Sequence, residues 1–410
     1  MECALVALSA AVLAARGRKM DAQLVWRPSA APSLTSRTRR LILVALLFLL
    51  FSRMAGHLIE AVGEPHGTTD AWMIWNLRAR FLFRAGPCWN DLSRFTQYTA
   101  PYHPDYPMML PLSVSRGWRA AGVESLAVPI LIGLFFTFGS VLLLFSALSF
   151  LRNEVRGFLA TAVLMGTPFF IIHGARQCAD VPLAFFILAT IVLFCLHDRL
   201  ATRSFAPMAL AGVTCGLAAW TKNEGLLFLA CVILARFATV SLKRGWRAWL
   251  SEMPCFLAGL VPVLAIVISF KVLFAPPNDL RLGHDLIGLV TPSRYYYIAR
   301  EFARQAFIFG RWQEFGPVPF NPVPLLVGCL FCFGISLRTT ESEGTITSFL
   351  ALILTLAGYF CVYLLTPHDL ASHMKTSCDR LFLQLWPSFI FICFMALPSP
   401  IRQTQPLKSG

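Results

Sequence analysis

Several short stretches of this chain carry side chains able to take a proton or hold an anion. "GTTDAWMIWNLRARFLF", starting at Gly67, sets Asp70 beside two Trp and two Arg. "YHPDYPMMLP" places His103 and Asp105 among Pro101, Pro104, Pro107 and Pro111. "GARQCADVPLAFF" puts Arg176 and Asp180 four residues apart. "AAWTKNEGLLF" carries Lys222 and Glu224, and "TPHDLASHMKTSCDRLFLQLWP" crowds His368, Asp369, His373, Lys375, Asp379 and Arg380 together. A positioned carboxylate can accept a proton from a hydroxyl. Lysine and arginine can neutralise a phosphate, lysine as a point charge and arginine as a fork. Arg294 is a further cation available for that task.

Each stretch also has a plain structural explanation. Trp72, Trp75, Ala79 and Leu82 recur at helical spacing, so Asp70 opens either an amphipathic surface helix as its N-cap or a catalytic site. The proline density around His103 and Asp105 predicts a stiff extended loop, either a connector or a pocket wall. Arg176 and Asp180 share a face if helical. Asp180, just before Pro182, either caps the next span or points into a cavity. Lys222 is confined to the membrane edge by its short connection, where it either meets a phosphate or snorkels and pairs with Glu224. Arg380 either snorkels or binds phosphate. His368 and His373 lack helical ligand spacing and no HExxH is present, so no metal site is assigned.

Something must position these groups, and the composition says what. The chain has 410 residues, 57% hydrophobic and only 14% charged, too little polar surface for a soluble domain. Apolar runs near 41–60, 126–150, 157–173, 181–197, 205–220, 225–240, 255–274, 318–336, 346–366 and 381–397 predict a polytopic all-α transmembrane bundle of about ten spans. The first is interrupted by Arg53, His57 and Glu60. Residues 1–40 and 398–410 read as cytoplasmic ends, the former containing a signal-like apolar stretch at 4–15. Basic clusters at "RGRK" to "RTRR", "LRNEVR", "HDRLATR", "SLKRGWR" and "SLRTT" alternate along the chain and predict the cytoplasmic side. The intervening loops, including 61–125 and 275–317, then lie outside and collect the chemistry-bearing residues on one face. The net charge of +14 is accounted for by this asymmetry and by anionic membrane lipids, without nucleic acid. The 12 Cys are scattered; Cys329 and Cys332 form a CxxC inside an apolar run and read as packing. Cys88, Cys178 and Cys378 fall in outer loops, where one pair could bridge.

Taken in order, "TTDAWMIWNLRARFLF", "HPDYPMMLP", "ARQCADVPLAFF", "WTKNEGLL" and the segment before the last span resemble the membrane-embedded glycosyltransferases of the GT-C class. The likeness is greatest to bacterial relatives of the protein O-mannosyltransferases and the lipid A aminoarabinose transferases, and it covers 41–397. It implies an outer-loop catalytic Asp at Asp70, a second acid at Asp180 and a "T-K-x-x-G" turn at Lys222. It implies transfer of a sugar from a polyprenyl-phosphate donor to a hydroxyl of a lipid, glycan or protein, on the extracytoplasmic face of the bacterial inner (plasma) membrane. Arg176, His103, Asp105, Arg294 and Arg380 are then expected to bind substrate. Asp70 is followed by Ala71, where mannosyltransferases of the class often carry a second acid. No cofactor is called for, and metal dependence is left open. In-line attack would invert the anomeric centre. A multispan transporter or flippase is the alternative; it would favour internal repeats and interrupted helices, and the sequence has no visible repeat.

Overall fold

The computed structural model describes residues 35–85, 103–200, 205–276, 291–309, 322–335 and 342–398. Their regular structure is helical, and no strand occurs among the described residues. Cys88, the stretch at 4–15 and most of both terminal segments lie outside the described residues. In chain order the helices are α1 (Ser36–Gly63), α2 (Asn76–Arg84), α3 (Met109–Ala121), α4 (Ala127–Leu151), α5 (Glu154–Met165), α6 (Pro168–Ala175) and α7 (Asp180–Arg199). There follow α8 (Phe205–Thr221), α9 (Asn223–Arg244), α10 (Trp246–Leu273), α11 (Pro292–Phe307), α12 (Pro322–Phe333), α13 (Ser342–Leu365) and α14 (Leu370–Ala396).

Among the described residues seven helices are long and apolar enough to cross a membrane: α1, α4, α7, α9, α10, α13 and α14. The other three expected spans look different. The run near 157–173 is α5 and α6, bent by 64° at a short break. α8 is apolar but only 17 residues long, and α12 covers 12 residues of the run near 318–336. The protein is thus a multi-pass helical bundle. α7 and α14 form its buried centre, while α1 exposes Leu41, Val44, Phe48, Phe51 and Ile59 on its outer side.

The polar residues that interrupt α1 turn inward. His57 Nδ1 donates to the Ile171 carbonyl at 3.1 Å, and Glu60 pairs with Arg176 at 3.1 Å. A helix facing hydrocarbon tolerates polar groups only on the side covered by protein. α8 and α10 cross at backbone contact: a Cβ on Gly212 would lie 2.0 Å from the Phe256 carbonyl, and one on Gly259 1.8 Å from that of Ala209. Small residues at such a crossing let two helices exchange van der Waals contact without hydrophobic drive.

The two ends of the bundle carry different charge patterns. At one end Arg236 holds Asp198 at 2.8 and 2.9 Å and Glu252 at 2.8 Å, and Arg244 bridges Glu252 to Glu343. Arg152 and Arg156, from the "LRNEVR" loop, donate to the carbonyls of Met395, Phe394 and Pro398. They supply partners to carbonyls that the last turn of α14 leaves unpaired. Basic residues whose pattern predicts only sidedness therefore also close a helix end. Asp70, Asp180, Lys222 and Arg380 meet at the opposite end.

Candidate functional site

Asp180 is the first residue of α7 and is fully buried. Its Oδ1 accepts from Lys222 Nζ at 3.0 Å and Gln384 Nε2 at 2.7 Å. Its Oδ2 accepts from Arg380 Nε at 3.0 Å and Nη2 at 2.8 Å, and from His173 Nε2 at 3.2 Å. Arg380 reaches onward through Nη1 to Asp70 Oδ2 at 2.5 Å. Lys222 reaches the other way to Glu224 Oε1 at 2.6 Å. The result is a continuous chain of alternating charge: Asp70, Arg380, Asp180, Lys222, Glu224. Charges this far from water persist only when paired and hydrogen-bonded.

Asp70 does not cap its helix. It makes no side-chain cap hydrogen bond and sits in helical conformation ahead of a wide turn, Ala71–Trp75, in which Asn76 N–H donates to Ala71 O. The wide turn separates the two tryptophans. Trp72 is exposed, whereas Trp75 is completely buried and stacks on Tyr106 with centroids 5.7 Å apart. Trp75 is thus a core residue and does not share with Trp72 the surface-helix face that helical spacing predicts. The backbone entering this segment bends at Gly67, φ +70°, where a Cβ would fall 2.6 Å from the Arg176 carbonyl. Only glycine combines that conformation with that approach.

Arg176 and Asp180 do not share a helix face. Arg176 follows the last residue of α6, and the chain turns at Gln177, φ +59°, before α7 begins. Gln177 is held by Asn76 (2.8 Å) and by donation to Pro65 O (3.1 Å), so the segment carrying Asp70 fixes the break ahead of Asp180. A non-glycine residue in the left-handed region is a local strain that surrounding contacts must sustain. Arg176 then pairs with Glu60 and lines a cavity of about 160 Å³ with Asp70, His173, Cys178, Asp379 and Arg380.

Lys222 is buried and not at an exposed edge. Burial opposes its charge, but the carboxylates of Asp180 and Glu224 outweigh that and hold its pKa above the usual lysine value. Its ammonium also lies 5.7 Å from the Tyr106 ring centroid. Pairing with Glu224, one of the two readings of this turn, is present together with the contact to Asp180.

His103 and Asp105 sit one layer behind. His103 stacks on Tyr106, and its carbonyl, like that of Tyr106, accepts from Arg78. Burial lowers the Arg78 pKa to about 10. Asp105 is buried and accepts from Asn223 at 2.6 Å, with Lys271 at 3.6 Å. From His103 onward the proline-rich stretch is a turn leading directly into α3, whose helix accommodates Pro111 in its first turn; Pro101 lies outside the described residues. Arg294 is separate from the charge chain: it donates to the carbonyls of Tyr363 and Thr366, closing the end of α13. The segment 370–380 is not a loop but the opening turns of α14, capped by Asp369, which accepts from Ser372 N at 2.9 Å.

His173, Gln384 and Tyr359 were not legible as site residues. Tyr359 Oη donates to Gln384 Oε1 at 2.8 Å, which turns the amide N–H₂ toward Asp180. Gln384 stands four residues after Arg380, on the same helical face, and an amide in an apolar run was the available signal. Cys178 and Cys378 are both free thiols. His173, Cys178 and Asp180 bring one potential ligand atom each within 4.8 Å of one another. Both oxygens of Asp180 are already taken by cationic donors, so a divalent ion there would face Lys222 and Arg380 at close range. As arranged, this grouping fits an ion-pair cluster and not a metal centre.

Comparison with protein-family models, curated proteins and solved structures finds no match. A buried acid clamped between two cations cannot itself take up a proton cheaply. Asp70, one third exposed at the cavity and held among the described residues through Arg380, is the carboxylate open to a ligand.

Proposed function

We propose that this protein is an integral-membrane glycosyltransferase of the GT-C kind. It moves a sugar from a polyprenyl-phosphate donor to an acceptor hydroxyl at the extracytoplasmic face. The observation that carries this reading is Arg380, one guanidinium bonded both to the fully buried Asp180 and to the part-exposed Asp70 at the wall of a polar cavity. Donor phosphate takes Arg380 Nη1, which releases Asp70 to act as base toward the acceptor. The acceptor oxygen attacks the anomeric carbon, its proton passes to Asp70, and the glycosidic electron pair leaves on the lipid phosphate. Fixed cations at the point where charge develops lower the barrier without reorganising. Asp180, Lys222 and Gln384 hold Arg380 in place, and inversion follows from a single displacement.

An apolar cavity of about 470 Å³ supports the lipid half of the donor. Phe309, Val327, Phe349, Phe382, Trp386 and Phe389 are among its lining residues. Phe309 on its wall meets Phe169 on the polar cavity's wall edge-to-face, centroids 5.9 Å apart. A phosphate in one cavity and an isoprenoid chain in the other would be neighbours. The α5–α6 bend favours a transporter as the second reading, because broken helices are common at transport sites. Against it, the charges gather at one end of the bundle and not at its middle.

Lipid profiling tests the proposal. Cells lacking the gene should accumulate one polyprenyl-phosphate sugar, wild-type protein should clear it, and Asp70→Asn should not. An unchanged lipid-linked sugar pool would overturn the enzyme reading.

A further inference from the structure

His173 Nε2 is committed to Asp180, yet its Nδ1 is buried without any hydrogen-bond partner. An unmade hydrogen bond at a buried ring nitrogen costs free energy, and such atoms are rare in folded proteins. Cys178 lies beside the ring, but its thiol hydrogen is directed elsewhere. Its thiol donates to the Arg176 carbonyl at 3.6 Å and lies 3.4 Å from Thr68 Oγ1. Phe169 covers one face of the imidazole, centroids 5.3 Å apart, and His173 lines the polar cavity with Asp70 and Arg380. A ligand oxygen entering that cavity would supply the missing partner.

The charge balance points the same way. Asp70, Asp180 and Glu224 are ion-paired with Lys222 and Arg380, while Arg176 is already paired with Glu60. A phosphate entering this cavity adds negative charge where acids already outnumber free cations. An imidazolium at His173 offsets part of that charge, and Asp180 is placed to stabilise it as a buried aspartate does in a catalytic triad.

We infer that His173 is a further catalytic residue, donating a hydrogen bond from Nδ1–H to an oxygen of the departing lipid phosphate. As the bond from the anomeric carbon to the phosphate oxygen breaks, its electron pair stays on that oxygen. The added charge strengthens the Nδ1–H bond, while the acceptor's proton goes to Asp70. The inference rests on the lipid-phosphate reading above.

Two substitutions separate the ring nitrogens. His173→Gln keeps an amide near Nε2, facing Asp180, and removes the Nδ1 donor. His173→Asn keeps a donor near Nδ1 and gives up Asp180. Binding of farnesyl phosphate, and of farnesol as a control without the phosphate, is followed by tryptophan fluorescence of the full chain in detergent. The Gln variant should bind farnesyl phosphate about 10- to 100-fold more weakly, the size of one charge-assisted hydrogen bond, with farnesol binding unchanged. The Asn variant should keep most of the preference for the phosphate. If His173 only positions Asp180, the order reverses: Gln binds as wild type and Asn fails, and the inference falls alone. If wild-type protein binds farnesyl phosphate no better than farnesol, the lipid-phosphate reading falls and takes the inference with it. Should the Gln variant not fold, the Asn variant decides, because loss of its phosphate preference with retained farnesol binding overturns the proposal.

Discussion

Asp70→Asn separates chemistry from architecture, because the two effects differ greatly in size. Removing a general base costs about 10²–10⁴ in rate. At about 1.4 kcal/mol per decade this is roughly 3–5 kcal/mol of barrier. The structural cost is far smaller. Asp70 makes no cap hydrogen bond that Asn would lose. Its carboxylate is 34% exposed and pairs through a single guanidinium nitrogen, while Arg380 keeps Asp180 through Nε and Nη2. A part-exposed ion pair of this kind contributes about 0–1 kcal/mol, and the Asn amide oxygen can still accept from Arg380. The variant should therefore insert and melt in detergent like wild type, while sugar transfer from polyprenyl-phosphate donor in isolated membranes drops by two decades or more. Full transfer activity would remove Asp70 as the base. A drop in activity that merely tracks a drop in folded protein would show that its pairing with Arg380 is structural.

The buried partners should behave oppositely. Asp180→Asn leaves Lys222 and Arg380 underpaired inside the bundle and should cost about 3–5 kcal/mol of stability, seen as a lowered detergent melting temperature; wild-type melting would contradict the buried clamp. Lys222→Met keeps the apolar stem but strands Asp180 and Glu224, so it should lower yield and melting temperature as well as activity; loss of activity alone would point to a purely chemical role. Arg294→Ala deletes two bonds to the end of α13 and should lower stability while the folded fraction keeps its specific activity; selective loss of donor affinity would return Arg294 to the phosphate site. Gly67→Ala forces a side chain into left-handed backbone and a 2.6 Å contact, displacing Asp70, so transfer should fall with every charged residue still present; unchanged activity would show the segment to be pliable.

The helical, multi-pass character of the chain was legible because it is a local property. A run of apolar residues is long enough to cross hydrocarbon or it is not, and α1, α4, α7, α9, α10, α13 and α14 follow the runs. The gathering of Asp70, Asp180, Lys222 and Arg380 at one end was also foreshadowed, since Asp180, Lys222 and Arg380 stand where an apolar run begins or ends and Asp70 lies in the loop after the first run. Register was not legible. Helical spacing put Trp72 and Trp75 on one face, but a single wide turn sends one outward and buries the other. Spacing likewise joined Arg176 to Asp180, and the turn at Gln177, held by Asn76 from another segment, parts them.

Partner choice among equivalent charges was least accessible of all. Arg294 and Arg380 are both arginines beside apolar helices, and nothing within a few residues of either distinguishes them. Packing of α14 against α7 takes Arg380 to Asp180, 200 residues away, and to Asp70, 310 residues away. Packing of α11 against α13 takes Arg294 to backbone carbonyls instead. Apolar length is written in consecutive residues, so the sequence by itself determined a membrane bundle with its polar groups at the helix ends. Which cation neutralises which buried acid depends on contacts between helices far apart in the chain, and only the tertiary structure decided that.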